Sequence, residues 1–203
     1  MKTKMTIILT SLILVAGLTS RAQDTCAKHE TPMKPFAFEL NGGASMAVKN
    51  LSGTNLQPGF GFEGVFTWNF MQHTGIYAGW GWNKLSAESS FAGNDVCFEE
   101  TGYIIGLQFK HYLKNGKMAY YLRAGALYNH LELENSEGLI TADTGHGMGV
   151  QFAGGIDIPI GSDWHVVPGI KFNSLKRNML LEGQTYRLKQ NYLSVRVGIQ
   201  KSF

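Results

Sequence analysis

The sequence predicts an all-β fold, an eight-stranded antiparallel transmembrane β-barrel that follows a cleaved signal peptide. Three observations predict it. Eight segments between Phe36 and Phe203 alternate apolar and polar residues, the period of a strand with a different solvent on each face. The apolar face carries no Asp, Glu, Lys or Arg through the middle of any segment, as hydrocarbon requires. Tight turns alternate with long connections, so the two ends of the structure differ.

Composition agrees. The chain has 203 residues, enough for one domain and a short leader. Charged residues make up 16%, against roughly 25% in soluble domains. Aromatics reach 12% and there are 25 glycines, which suits a wall that wears its apolar side outward. The net charge is +3 with no basic block, which argues against a nucleic-acid partner.

Residues 1–22 have the pattern of a secretory signal peptide. Lys2 and Lys4 open it, Thr6 to Gly17 is apolar, and Ser20-Arg21-Ala22 is a small-x-small cleavage site. The apolar run is too short for a comfortable membrane helix, and no later segment approaches about 20 consecutive apolar residues. Residues 23–35 are polar, with Pro32 and Pro35, and are expected to form a periplasmic lead-in before the barrel at 36–203. Of the two cysteines, Cys26 falls in the lead-in and Cys97 near the outer rim, so both are expected as unpaired thiols. No spacing marks a metal site, and no cofactor motif is present.

The segments run in order. Phe36–Val48 sets Phe36, Phe38, Leu40, Ala44 and Met46 against Glu39, Asn41, Gly43 and Ser45. Phe60–Phe70 sets Phe60, Phe62, Phe66 and Trp68 against Gly61, Glu63 and Thr67. Ile76–Lys84 sets Ile76, Trp80 and Trp82 against Tyr77, Gly81 and Asn83. Val96–Tyr112 opposes Tyr103, Ile105, Leu107 and Phe109 to Gly102, Gly106, Gln108 and Lys110. Met118–Leu131 opposes Tyr120, Leu122 and Tyr128 to Tyr121, Arg123 and Asn129. His146–Ile160 opposes Phe152, Ile156 and Ile158 to Gln151, Gly155 and Asp157. Trp164–Ser174 opposes Val166, Ile170 and Phe172 to His165, Gly169 and Lys171. Asn191–Phe203 opposes Leu193, Val195, Val197 and Ile199 to Ser194, Arg196 and Gly198.

Met71–Thr74, Leu113–Lys117 and Gly161–Asp163 are short, and Asn115-Gly116 is a hairpin dipeptide. Lys49–Gly59, Leu85–Asp95, Glu132–Gly145 and Leu175–Thr185 are expected as four long outer loops. A soluble lipocalin-like barrel also alternates, with its apolar face inward. The polar face here favours the transmembrane alternative. It is rich in Gly, Asn and Gln, and its charges nearly balance: Glu39, Glu63 and Asp157 against Lys110, Arg123, Lys171 and Arg196. That composition fits a narrow lumen.

The last strand ends on Arg196, Gly198, Lys201 and Phe203. This ending resembles the C-terminal β-signal of bacterial outer-membrane barrels, a polar residue, a Gly and a terminal aromatic at fixed spacing. Lys201 departs from it, standing where an apolar or aromatic residue is usual. With the leader and the loop asymmetry, residues 36–203 resemble the small eight-stranded outer-membrane-protein family that includes OmpA-like and OmpX-like barrels. The resemblance implies location in the outer membrane of a Gram-negative-type cell. It also implies contact with lipid and lipopolysaccharide, and recognition of Arg196, Gly198 and Phe203 by the barrel-assembly machinery.

An eight-stranded barrel is just wide enough for its inward side chains to fill it. The seven lumen charges are therefore expected to form a salt-bridged plug, which argues against a general porin. The role expected is non-enzymatic, structural or surface-interacting, with any extracellular partner met by the four outer loops. The competing reading is a lipid A-modifying enzyme. His130 and His146 lie near the outer ends of neighbouring strands with Glu132 and Glu134 close by, but no Ser stands at a recognisable spacing. The Trp, Tyr and Phe residues are read as an interfacial aromatic belt.

Overall fold

The computed structural model describes residues 34–113 and 118–203. The predicted signal peptide, most of the lead-in with Cys26, and the Asn115-Gly116 turn lie outside the described residues. The described residues form nine strands: β1 (Phe36–Ala47), β2 (Gly59–Asn69), β3 (Thr74–Ser90), β4 (Gly93–Tyr112), β5 (Ala119–Glu134), β6 (Ile140–Asp143), β7 (Gly147–Pro159), β8 (Trp164–Leu181) and β9 (Gln184–Ser202). Every pairing is antiparallel. Eight of the strands form a ring in chain order, β4 and β5 pairing at one point of it and β1 and β9 closing it. The short β6 pairs with the upper end of β5, on the edge that β7 uses lower down, since β4 holds the other edge.

The first and last strands close through Ala37↔Ser202 to Ala47↔Tyr192. Phe36 and Phe203 exchange two backbone hydrogen bonds, of 3.1 and 2.9 Å, beside that seam. A closed ring leaves no edge in hydrocarbon, where an unpaired N–H or C=O is costly.

Facing follows the alternation. Phe38, Leu40, Phe62, Trp68, Ile105, Leu107, Leu122, Val150, Phe152, Ile170, Val195 and Val197 are all exposed on the outside. Glu39, Glu63, Gln108, Arg123, Gln151, Asp157, Lys171 and Arg196 are buried inside. Adjacent Gln151 and Phe152 are 1% and 56% exposed. A wall of this kind, apolar outside and polar inside, belongs in lipid rather than water.

Two of the four expected outer loops are instead strand. Leu85–Asp95 is the top of a β3–β4 hairpin, paired as far as Ser90↔Gly93. Leu175–Thr185 is the top of a β8–β9 hairpin, paired as far as Leu181↔Gln184. Its two turn residues, Glu182 and Gly183, both have positive φ (50° and 77°), the primed turn that matches strand twist. A third connection, Glu132–Gly145, holds the end of β5 and all of β6.

The reason is an inversion. The strands keep their parity above the lipid, but the two faces exchange character. On β5, Tyr128 out and Asn129 in give way to His130 out, Leu131 in, Glu132 out and Leu133 in. The upper interior is therefore apolar. Leu85, Val96, Phe98, Leu131, Leu133, Leu175, Met179 and Leu188 fill it, joined from the β1–β2 connection by Leu51 and Leu56. Phe91 stacks on Tyr186 at 4.5 Å over it. This half of the barrel is packed like a water-soluble protein, with its polar face toward solvent.

One stretch of wall is stepped. β7 begins at Gly147, β5 and β8 on either side run on upward, and β6 takes up the line beside β5 after an irregularity at residues 144–146. The Arg177 guanidinium fills the step. It donates to the carbonyls of Asn129 (3.0 and 2.7 Å), Met148 (2.9 Å), Lys176 (2.8 Å) and Gly147.

Two substitutions test the level at which lipid ends. Phe152→Lys, on the outer face of the belt, should lower the unfolding free energy in lipid vesicles by roughly 2–4 kcal/mol. Ser86→Lys, on the same face but above the belt, should change it by no more than about 0.5 kcal/mol. Chemical denaturation followed by tryptophan fluorescence measures both. In the upper interior, Phe98→Ala should cost about 3–5 kcal/mol, since its ring is fully buried.

Candidate functional site in the lumen and at the outer rim

Strand parity aims the predicted charges inward, and cross-strand proximity pairs them. Six of the seven form three ion pairs. Arg123 meets Glu39 at 2.7 Å, Lys171 meets Glu63 at 2.7 Å, and Lys110 meets Asp157. Each pair is braced. Arg123 also donates to Gln108 (2.7 Å), lies over the rings of Tyr77 and Tyr121, and shares Glu39 with Asn41. Gln151 donates to Glu63 at 3.0 Å. Asp157 also contacts His165 and accepts from Gln200 at 3.4 Å.

Arg196 stands apart. Its register neighbours are Gly43 and Gly169, and it reaches Asn83 at 3.4 Å. A Cβ at Gly61 would fall 2.9 Å from its Nη2, so that glycine makes the room. Among the described residues, Arg196 Nε and Nη1 meet no acceptor.

Sequence reading missed Glu100, which is 2% exposed and accepts from Asn129 at 2.5 Å. It shares inward parity with Gly102 and Gln108, and that signal could have found it. Between these groups lies a cavity of about 10 Å³, lined in part by Glu63, Asn83, Glu100, Asn129, Lys171 and Tyr192. It has room for about one water.

The C-terminal residues take distinct places. Gly198 sits opposite Asn41, where a Cβ would meet the Asn41 Cβ at 2.9 Å. Phe203 lies outside, its ring 6.3 Å from those of both Phe36 and Phe66.

The outer rim divides by charge. On β3–β6 the outward row holds Lys84, which bonds Glu99 (2.7 Å) and Glu134 (2.5 Å). Glu99, Glu132 and Asp143 are consecutive cross-strand partners. His130 Nδ1 lies 3.1 Å from Asp143 Oδ1 and 3.7 Å from Glu132 Oε1. His146 stacks on the His130 ring at 4.4 Å. Glu132 thus stands beside His130 as its sequence position suggests, whereas Glu134 turns to Lys84. Among the described residues, no Ser hydroxyl is hydrogen-bonded to either His. No spacing in the sequence marks a metal site, and the fold brings His130, Glu132 and Asp143 donor atoms within 4.8 Å of one another.

On β8, β9 and the end of β1 the outward charges are basic. Lys49, Lys176, Arg187 and Lys189 are exposed, and Lys176 is paired directly with Lys189. Cys97, on the outer face of β4, is unpaired among the described residues.

No family model matches this chain, and no curated protein matches it in sequence. Solved structures do match. Neisserial surface protein A superposes with a TM-score of 0.61 at 10% identity, over 83% of this chain and 97% of its own. Escherichia coli outer membrane protein W gives 0.54 at 16% identity, over 85% and 100%. Ail of Yersinia pestis, solved with the heparin analogue sucrose octasulfate, gives 0.50 at 16%, over 83% and 99%. At these identities the likeness is one of fold, the small eight-stranded outer-membrane β-barrel.

Removing one member of a buried pair leaves the other charge uncompensated. Arg123→Ala should therefore destabilise the barrel by about 3–5 kcal/mol, while the double replacement Glu39→Leu with Arg123→Met should recover most of that loss. Urea unfolding in vesicles compares the two.

Proposed function

We propose that the chain is an integral outer-membrane protein of a Gram-negative-type cell, with a non-enzymatic, structural or surface-interacting role. The observation that carries this reading is the filling of its interior. Three ion pairs close the lower lumen and an apolar core closes the upper one. The barrel wall encloses a plug, and any partner meets the hairpins outside. Export by the leader at 1–22 belongs to the same reading. So does assembly through Arg196, Gly198 and Phe203 by the barrel-assembly machinery.

The belt of exposed Phe, Leu, Ile and Val meets membrane lipid. Directly above it, Lys49, Lys176, Arg187 and Lys189 suit an anionic partner. Like charges placed directly opposite across strands, as Lys176 and Lys189 are, repel unless something negative lies against them. Lipopolysaccharide phosphates supply such charge at that level. Ail, crystallised with a sulfated sugar, is a barrel of the same fold beside a polyanion.

In cells, the protein should fractionate with the outer membrane and migrate faster on gels before boiling than after. Planar bilayers containing it should show no steady conductance. Lipid A from cells with and without it should have one mass spectrum. An acyl chain lost or gained in dependence on His130 or His146 would replace this reading with the lipid A-modifying enzyme. Recovery from the soluble periplasm would replace it with the lipocalin-like barrel.

A further inference from the structure

We infer that His130, Glu132 and Asp143 form a surface site for a divalent transition-metal ion of the Zn2+ class, which fastens β6 to the barrel. The placement follows from the pairing. His130 and Glu132 are two residues apart on β5, so they share its outward face. Asp143 on β6 is the cross-strand partner of Glu132. The three donors therefore converge from two strands without a loop rearrangement.

The separations suit one ion. Metal–ligand bonds of about 2.0–2.2 Å set neighbouring donors roughly 3–3.5 Å apart. His130 Nδ1 is 3.1 Å from Asp143 Oδ1 and 3.7 Å from Glu132 Oε1, and all three donors lie within 4.8 Å. A small rotation of the Glu132 side chain closes the widest gap. The Asp143 carboxylate is already oriented, since its Oδ1 accepts the Gly145 N–H at 2.8 Å. The His146 ring, stacked at 4.4 Å and 17° from parallel, fixes the plane of His130. One imidazole with two carboxylates is the donor set of first-row divalent ions rather than of calcium or magnesium, which take oxygen alone.

Two features outside the triad also call for a cation. Glu99, Glu132 and Asp143 form one row of carboxylates across three strands, and Lys84, bonded to Glu99 and Glu134, is the cation bonded within that group. In addition, β6 is weakly held. Its ladder to β5 has three residue pairs and a register shift, and Leu139 and Ile140 are exposed. A strand with so little burial is marginal without a staple. An ion bound to β5 and β6 together supplies one, because metal binding free energy becomes ordering free energy.

The test uses the whole mature barrel, untagged and refolded in detergent micelles, with Zn2+ and Ca2+ titrated separately by calorimetry. One Zn2+ should bind per chain, and Ca2+ should bind at least about tenfold more weakly. His130→Ala and Asp143→Asn should each weaken Zn2+ at least about tenfold. Glu134→Gln, outside the triad, should leave it within about twofold. Zn2+ should also slow proteolysis of the 135–146 segment in the parent and not in Asp143→Asn. Asp143 is exposed at the end of the short β6, so that variant reads the site even where His130→Ala folds poorly. Equal Zn2+ and Ca2+ affinity, unchanged by His130→Ala, would reduce the cluster to a diffuse acidic face and overturn the proposal. Zn2+ binding untouched by either variant would place the ion elsewhere and overturn it equally.

Discussion

The structure depends on the need to satisfy every backbone N–H and C=O where water is absent. In hydrocarbon that need is met across strands only by a wall with no edge, so β1 must meet β9. Closure has a second effect. Because side chains alternate and directly paired residues share a face, the registers of the eight ladders together fix which residues look inward. A one-residue slip anywhere would carry Arg123 or Glu63 into lipid and Phe152 or Leu122 into the lumen. The polar interior is thus the partner of the apolar belt in specifying orientation. A barrel with apolar residues on both faces would close as readily, but its strands would have no reason to prefer one side.

The lumen charges are better understood in this light than as a source of stability. Burying an ion pair costs about as much as the pair returns, and apolar substitutes of equal volume are often no worse. Glu39 with Arg123 and Glu63 with Lys171 lie on different strands, joined through space across the interior. They choose a facing and a register at little net energy. Arg196 and Glu100 depart from the pattern, each buried without an opposite charge in contact among the described residues. Glu100 lines the water-sized cavity, and Arg196 reaches Asn83 on its wall.

How far the sequence could be read depended on which solvent surrounds each segment. Through the belt, alternation has one meaning, and eight strands and their facing were legible from parity. Above it, Leu85, Phe98, Leu131 and Met179 keep inward parity but are apolar, while their outward neighbours are polar. The same period therefore looks like its own reverse, and Leu85–Asp95 and Leu175–Thr185 resemble loops. Glu100 sits at the crossover, where neither rule holds cleanly. The company of His130 and Glu132 was visible at a spacing of two. Asp143 was not, because nothing local in Glu132–Gly145 announces that β6 folds back against β5. Arg177 was hidden for a related reason. Its partners are main-chain carbonyls, which carry no residue identity.

That last contact concentrates the sealing of a seam in one side chain. Where β7 gives way to β6, Arg177 reaches across from β8 and takes up the carbonyls of Asn129, Gly147 and Met148. The 135–139 turn beyond β6 carries none of that sealing. It can lengthen, shorten or change its chemistry over generations without opening a leak, so long as position 177 keeps its fork of donors. Variation in this protein should accordingly collect on that one turn of the rim, with an arginine standing still beneath it.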